Sequence, residues 1–346
     1  MSIVVETFDT DGPADTAGLE AAIDRIGVRR ALRFAVFVKV EGDYDDGSRE
    51  RARAALEALI EQRGLADRTQ LLTAVGCEGV STPFGYVLAE VPDDAEVKTR
   101  AARLVMGCAR SDVIDAASAD RIETVDRVAE TVRAAARDAG LRPTEVVMAF
   151  VKVPQVMVTG VTTDVVRGRR TRALAALGAG VGLEEIARDR VTEASVMTDL
   201  SLFCRRTQAF AGPEVTRVEV IVLGNRAGVG GALVAHAGLI ADLIDSRSLR
   251  RMLTGAGLQL DSDGELAAPE RIAAFFLKAG PSADGRVRGA RTTIYGSSVT
   301  PEKHMRAAVS GMVGALLGTT RAFTTGDPIQ QAPDGGGVAC VIVRSE

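Results

Sequence analysis

The chain has no tryptophan, three tyrosines, two histidines and, among 42 basic residues, only five lysines. Each shortage excludes something. Two histidines, His236 and His304, leave little material for an imidazole-ligated metal or a histidine-based triad. Cys77, Cys108, Cys204 and Cys340 are scattered without a Cys-x-x-Cys pair, which argues against a disulfide framework and a zinc knuckle. No apolar run reaches the roughly 18 residues needed to cross a bilayer; even "GGALVAHAGLIADLI" is broken by His236 and Asp242. The opening "MSIVVETFDTDGPAD" is acidic where an export signal is basic and then apolar, so a cytoplasmic protein is expected. A net charge of -4 and a pI near 5.5 give no general attraction to phosphate backbones. The local run of Arg167, Arg169, Arg170 and Arg172 lacks interleaved aromatics, so neither nucleic acid nor membrane is expected as a partner.

What is present is a globular composition, 46% hydrophobic and 25% charged over 346 residues, enough for two or three cores. The segment "FAVFVKVEGD" at 34–43 shares its Phe-Val-Lys-Val with "VMAFVKVPQV" at 147–156, and "IAAFFLKAGP" at 272–281 repeats the design. The copies lie roughly one third of the chain apart. Three of the five lysines, Lys39, Lys152 and Lys278, therefore hold equivalent places, while Lys98 and Lys303 lie elsewhere. Arginine stays protonated at any accessible pH, whereas a desolvated lysine can give up its proton, so a site that needs a neutral amine must use lysine.

Each lysine strand leads into a helical segment carrying an arginine near its start, Arg49, Arg172 and Arg306. A glycine-containing turn follows in each case: "TAVGCEG", "QAFAGPE" and "TTGDPIQ". Then come the β-rich runs "GYVLAEV", "VEVIVLGN" and "GVACVIV". The alternation predicts a mixed α/β (α+β) fold of three similar repeats, with sheets inside and helices outside. The expected units are 1–94, 95–248 and 249–346. The helix "IETVDRVAETVRAAARDAG" is expected to bridge the first two, and "GGALVAHAGLIADLIDSRSLRRML" the last two.

With "KVEGD" after Lys39, "HAGLIADLIDSRSLRRML" at 236–253, "GRVRGARTTI" at 285–294 and "PDGGGVACVIV" at 333–343, this pattern resembles the cyanuric acid hydrolase and barbiturase family of ring-opening amidohydrolases over essentially the whole chain. The resemblance implies a Toblerone-like trigonal prism, assembled as a homotetramer, in which three units surround one pocket. It implies that Lys39, Lys152, Lys278 and Arg49, Arg172, Arg306 converge there on a small planar heterocycle. In that family a serine stands in each glycine-containing turn, and the second one, paired with its lysine, attacks a ring carbonyl. Here those positions hold Ala74, Phe210 and Thr325, so the chain is a divergent member lacking the three serines. A family glutamate two residues after the third lysine helps to hold a divalent ion. That position is Gly280, so neither metal nor cofactor is expected.

The expectation is then a cationic pocket in which crowding lowers at least one lysine pKa, giving a base or amine nucleophile. Lys152 is the first candidate, with Lys39 and Lys278 beside it. Arg49, Arg172, Arg306, Ala74, Phe210 and Thr325 are expected to contact the substrate. The expected function is ring opening of a small cyclic amide, imide or carbonyl-rich heterocycle by a lysine-based mechanism in place of serine. The alternatives are a cyclase, isomerase or lyase using the same pocket, and a small-molecule binding protein or inactive paralogue. Phe210 favours a ligand less polar than cyanurate that can stack on a ring. Cys77 and Cys204 miss the serine positions and read as buried small hydrophobes. Glu41, Glu78 and Glu214 read as salt-bridge partners of the lysines.

Overall fold

A computed structural model describes residues 1–93, 100–156 and 162–345, with side chains in the fourth helix from residue 167 onward. Lys98 and the expected 94/95 division lie outside the described residues. The chain forms three four-stranded sheets of identical connectivity. The first contains β1 (Ser2–Asp9), β2 (Arg33–Val40), β3 (Thr69–Val75) and β4 (Phe84–Val91), in the order β1-β4-β2-β3. The second contains β5 (Arg103–Val113), β6 (Val146–Pro154), β7 (Thr207–Gly212) and β8 (Arg217–Arg226), in the order β5-β8-β6-β7. The third contains β9 (Leu233–Ile240), β10 (Ile272–Ala279), β13 (Phe323–Gly326) and β14 (Gly337–Arg344), in the order β9-β14-β10-β13. A two-stranded hairpin of β11 (Arg286–Val287) and β12 (Ala290–Arg291) projects from the third unit. In every sheet the lysine strand runs parallel to the strand that follows its helix and antiparallel to the last.

The lysine strands look uninterruptedly apolar because both of their faces are buried. In β2, Phe34, Val36, Val38 and Val40 face an outer core shared with helices α1 (Ala17–Ile26) and α2 (Ser48–Gln62). Ala35 and Phe37 face inward, into a core shared by all three sheets. Lysine falls two residues after the inward phenylalanine, and so on the same inner face. The arrangement recurs with Phe150 before Lys152 and Phe276 before Lys278. These three phenylalanines meet one another, with ring centroids 4.9, 4.9 and 4.7 Å apart. They form an apolar floor where the three sheets come together, and the lysines occupy the next inward positions along the strands. Phe276→Leu keeps an apolar residue but breaks two of these ring contacts, so stability falls by about 1–2 kcal/mol in urea unfolding.

The helices cover the outer faces. α3 (Thr124–Asp138) buries Val125, Val128, Ala129, Val132 and Ala136, the spacing of a single helical stripe. It packs on α4 (Thr162–Gly182), where a Cβ at Gly178 would lie 2.7 Å from the Val125 carbonyl, so glycine is what lets the two backbones approach. α5 (Ser246–Gly255) and α6 (Pro301–Leu317) cover the third sheet.

Two expectations about organisation are corrected. α3 is not a bridge between units, because it lies between β5 and β6 and packs on the second sheet. The expected 248/249 division falls inside α5, and the third sheet already begins at Leu233. The segment read as a second bridging helix starts as strand β9, paired with β14 along its whole length. Its short apolar run carries no turn signal before Asp242, and periodicity alone does not separate such a strand from a buried helix.

Candidate functional site

In the strand register Lys39 pairs with Ala74, Lys152 with Phe210 and Lys278 with Thr325. Each pair sits side by side on adjacent parallel strands. Ala74, Phe210 and Thr325 all line one cavity of about 350 Å³, together with Lys152, Lys278, Arg49, Arg172 and Arg306. Residues from all three units thus share one wall.

Lys39 is the exception. It is buried and donates to the carbonyls of Gly76 and Thr324, and it is absent from the cavity lining. Burial lowers its pKa to about 8, with Glu78 pulling the other way, so it remains largely protonated at neutral pH. Its ammonium ties the first unit to the third. Lys152 makes the corresponding link from the second unit to the first, donating to the Thr73 carbonyl at 3.0 Å.

Lys152 also forms a fully buried ion pair with Glu214, Nζ to Oε1 2.5 Å. Burial lowers Lys152 to about 8 even against this carboxylate, and the ammonium holds Glu214 well below the usual carboxylate range. The first candidate for a neutral amine is therefore a paired cation at pH 7.

Lys278 differs from both. By the pattern of the other two units its ammonium would reach the carbonyl of Ala209, the residue before Phe210. Instead its Nζ sits 4.4 Å from the centre of the Phe210 ring, and among the described residues it has neither hydrogen bond nor ion pair. Burial and the neighbouring Arg172, Lys152 and Arg306 hold it well below the ordinary lysine range, opposed by Asp327. The third unit's acid is also placed differently. Glu78 and Glu214 stand four residues after Ala74 and Phe210, whereas the residue four after Thr325 is Ile329. The third unit's carboxylate is Asp327, which accepts from Arg172 Nε at 2.8 Å and Arg169 Nε at 3.3 Å.

The guanidinium groups are equally well tied. Arg306 is held by Glu78 and lies against Gly76, where a Cβ would come within 2.6 Å of its Nε. Arg49 donates to the carbonyls of Ala211 at 3.0 Å and Tyr44 at 3.1 Å. Two of them lie near the Tyr44 ring, Arg49 5.0 Å and Arg172 5.7 Å from its centre. The expected excess of unbalanced positive charge is thus corrected: Glu78, Glu214 and Asp327 neutralise much of it, and among the three strand lysines Lys278 is the one held by neither a carbonyl nor a carboxylate.

Asp327 escaped the sequence reading, although its signal was present. It occupies a left-handed turn, φ 58°, in the quoted "TTGDPIQ", a conformation that asparagine and aspartate tolerate better than most residues. Glu78 pairs with Arg306 rather than a lysine, Glu214 pairs with Lys152, and Glu41 is exposed and outside the cavity lining. Tyr295 lies at a separate cleft beside the Pro333–Gly335 turn. Burial pushes the Cys77 thiol up to about 11 and raises that of Cys204, so neither is a ready thiolate. Phe210 has one face covered by Lys278, which leaves less ring for a ligand to stack on than expected.

The residues present do not fit a divalent ion at the third-unit loop. Gly280 supplies no carboxylate, and a Cβ built there would meet the Pro328 ring at 2.4 Å. Among the described residues no group of three His, Cys, Asp or Glu is placed to hold a metal. No helix among them is long and apolar enough to cross a membrane.

A family model described as "Amidohydrolase ring-opening protein" matches residues 4–344. The chain is 32% identical over 353 residues to a cyanuric acid amidohydrolase of Bradyrhizobium sp., covering 96% of this chain and 95% of the relative. It is 35% identical to the corresponding protein of Methylobacterium sp., over 90% and 88% of the two chains. It is 28% identical to a cyclic amide hydrolase of Azorhizobium caulinodans over the full length of both. A solved structure of cyanuric acid hydrolase superposes with a TM-score of 0.90 at 29% identity, over 99% of each chain. A second, from A. caulinodans, superposes at 0.88 and 28% over the same share.

Proposed function

The chain belongs to the ring-opening amidohydrolase family, and on that premise we propose that it hydrolyses a C–N bond of a cyclic amide or imide held in the Lys152–Lys278 cavity, with the unprotonated amine of Lys278 as the proton acceptor. One observation carries the reading. Lys278 faces the cavity with only a ring face beside its Nζ, a weaker partner for an ammonium than the hydrogen-bond acceptors that hold the other two lysines, so its neutral form costs least there.

The remaining cations serve the other half of the reaction. Arg306 and Arg172, immobilised by Glu78 and Asp327, are fixed donors on the cavity wall and need no reorganisation as charge develops on a ring carbonyl oxygen. Lys152 adds a protonated donor from the opposite unit. Two of the three equivalent wall positions, Ala74 and Phe210, are apolar and the third, Thr325, carries a hydroxyl. Such a wall suits a ring with one hydrocarbon edge and one carbonyl-rich edge, a cyclic imide or a barbiturate rather than the threefold-polar cyanurate.

The purified protein incubated with succinimide, glutarimide, barbiturate and cyanurate separates the readings. Ring-opened product heavier by one water, formed faster from the imides than from cyanurate, is the expected result. Turnover to a product of unchanged mass points to an isomerase or cyclase, and tight binding without turnover to a binding protein. Either result overturns hydrolysis.

A further inference from the structure

The loop 41–47, which joins β2 to α2, reaches both other units at the cavity. Asp43 pairs with Lys303 of α6 at 2.7 Å, and Tyr44 beside it enters the second unit. There the Tyr44 hydroxyl donates to Oε1 of Gln155, just past β6, at 2.8 Å and accepts from Nη1 of Arg172 at 3.3 Å. Gln155 is buried, so the hydroxyl sits in an enclosed seat. The helix α4 is shaped for it. A Cβ at position 168 would fall on the Tyr44 hydroxyl and the Gln155 amide, and the residue there is Gly168. Its φ is not in the left-handed region, so clearance rather than backbone conformation accounts for the glycine. Glycine inside a helix is less favourable than alanine, and the second unit accepts that cost where a side chain of the first unit docks.

Tyr44 thereby engages two of the three cavity arginines. Arg172 commits Nε and Nη2 to Asp327 and Nη1 to the Tyr44 hydroxyl. Arg49 commits Nη1 to the Ala211 carbonyl and Nη2 to the Tyr44 carbonyl. Arg306 commits Nε and Nη2 to Glu78, but its Nη1 has no acceptor among the described residues. Three arginines at equivalent places in the repeats thus differ in what they still offer a ligand, and the open guanidinium corner belongs to the third unit, as does Lys278.

We propose that Tyr44 is the specificity-determining residue of the cavity: by holding Arg172 and Arg49 it leaves the principal open donor at Arg306, so a ring with carbonyls along one edge is preferred to a ring with a carbonyl on every edge. This rests on the cyclic-amide reading above and names the residue that sets its choice. A threefold-polar ring has to displace the Tyr44 hydroxyl from Arg172 to pair all of its carbonyls, whereas an imide does not.

Calorimetric titration with glutarimide and with cyanurate tests this, in a Lys278→Met background where the rings are bound and not consumed. That background is expected to bind glutarimide more tightly than cyanurate. Adding Tyr44→Phe, which keeps the ring and frees the Arg172 donor, is expected to raise the affinity for cyanurate relative to glutarimide by about tenfold. Gly168→Ala keeps the tyrosine and dislodges its hydroxyl, so the ratio is expected to move in the same direction. It reads the proposal even if Tyr44→Phe, which strands the Gln155 amide, does not fold. A latch with only a structural role weakens both rings alike, so an unchanged ratio overturns the assignment, as does a starting preference for cyanurate. Turnover is scored separately in proteins that retain Lys278. A ratio that shifts while no ring opens sustains Tyr44 and sinks hydrolysis; ring opening with an unchanged ratio does the reverse.

Discussion

Lys278→Met is expected to lower ring opening by about 10³-fold, within the range a positioned acid–base group contributes, while leaving a protein more stable at neutral pH than the wild type. Both halves follow from the same burial. Lys278 meets Arg172 of α4, Lys152 of β6 and Arg306 of α6, with Asp327 after β13 as its opposing carboxylate. Its folded pKa therefore lies well below the unfolded value of about 10.4. Between those two values the unfolded chain binds a proton that the folded chain does not. Folding stability is accordingly lowest below the folded pKa and is regained as pH rises toward the unfolded one. Methionine keeps the bulk and carries no proton, so the penalty disappears along with the base. For the wild type, kcat/KM rises with pH as Lys278 deprotonates and levels off well short of the pH at which a free lysine would titrate. Urea unfolding and pH–rate profiles of the two proteins check this together. A Met variant that opens rings within a few-fold of the wild-type rate would end the case for Lys278.

The threefold plan was legible because β-strand periodicity is short and strict. An inward phenylalanine two residues before an inward lysine is a local pattern, and it survives in "FVK" and "FLK" through all three units. The turn positions Ala74, Phe210 and Thr325 were legible for the same reason, as each lies in a short strand beside its lysine. Choosing among the lysines was not. Whether an amine is charged depends on what another unit puts beside it, and sequence distance hides that. Lys152 finds Glu214 across its own sheet and Thr73 in another, whereas Lys278 meets the face of Phe210. Phe210 stands where the other two units place the smaller Ala74 and Thr325, and its ring lies beside the Lys278 amine. Asp327 was passed over because it comes two residues after Thr325, while Glu78 and Glu214 come four after Ala74 and Phe210. Strand β9 was misread because nothing in its run of small and apolar residues records the pairing with β14 that makes it a strand.

Glu214→Gln is expected to destabilise the protein by about 3–5 kcal/mol at pH 7, the cost typical of removing one member of a buried ion pair. Glu214 Oε1 accepts from Lys152 and also from the Thr73 hydroxyl at 2.9 Å, and both charged side chains are sealed from solvent. Glutamine preserves the shape and one acceptor but leaves the ammonium uncompensated, so Lys152 must either stay charged in an apolar setting or surrender its proton on folding. The pH dependence tells these costs from a packing defect. If Lys152 folds neutral in the variant, the penalty is the work of deprotonating it, and that work shrinks as pH climbs toward the unfolded lysine value of about 10.4. The deficit relative to wild type should therefore narrow steadily between pH 7 and pH 10. In wild type the opposite limb is expected from the carboxylate: Glu214 titrates below its unfolded value because Lys152 holds it ionised, so its contribution is complete above roughly pH 4.5 and drains away as the solution becomes more acid. Adding Lys152→Met to Glu214→Gln removes the stranded charge and should recover a large part of the lost stability, since a neutral pair needs no counterion. A deficit that is flat with pH and unchanged in the double variant would mean that the pair acts through packing alone. Lys152 would then cease to be the charged neighbour that helps to keep Lys278 unprotonated.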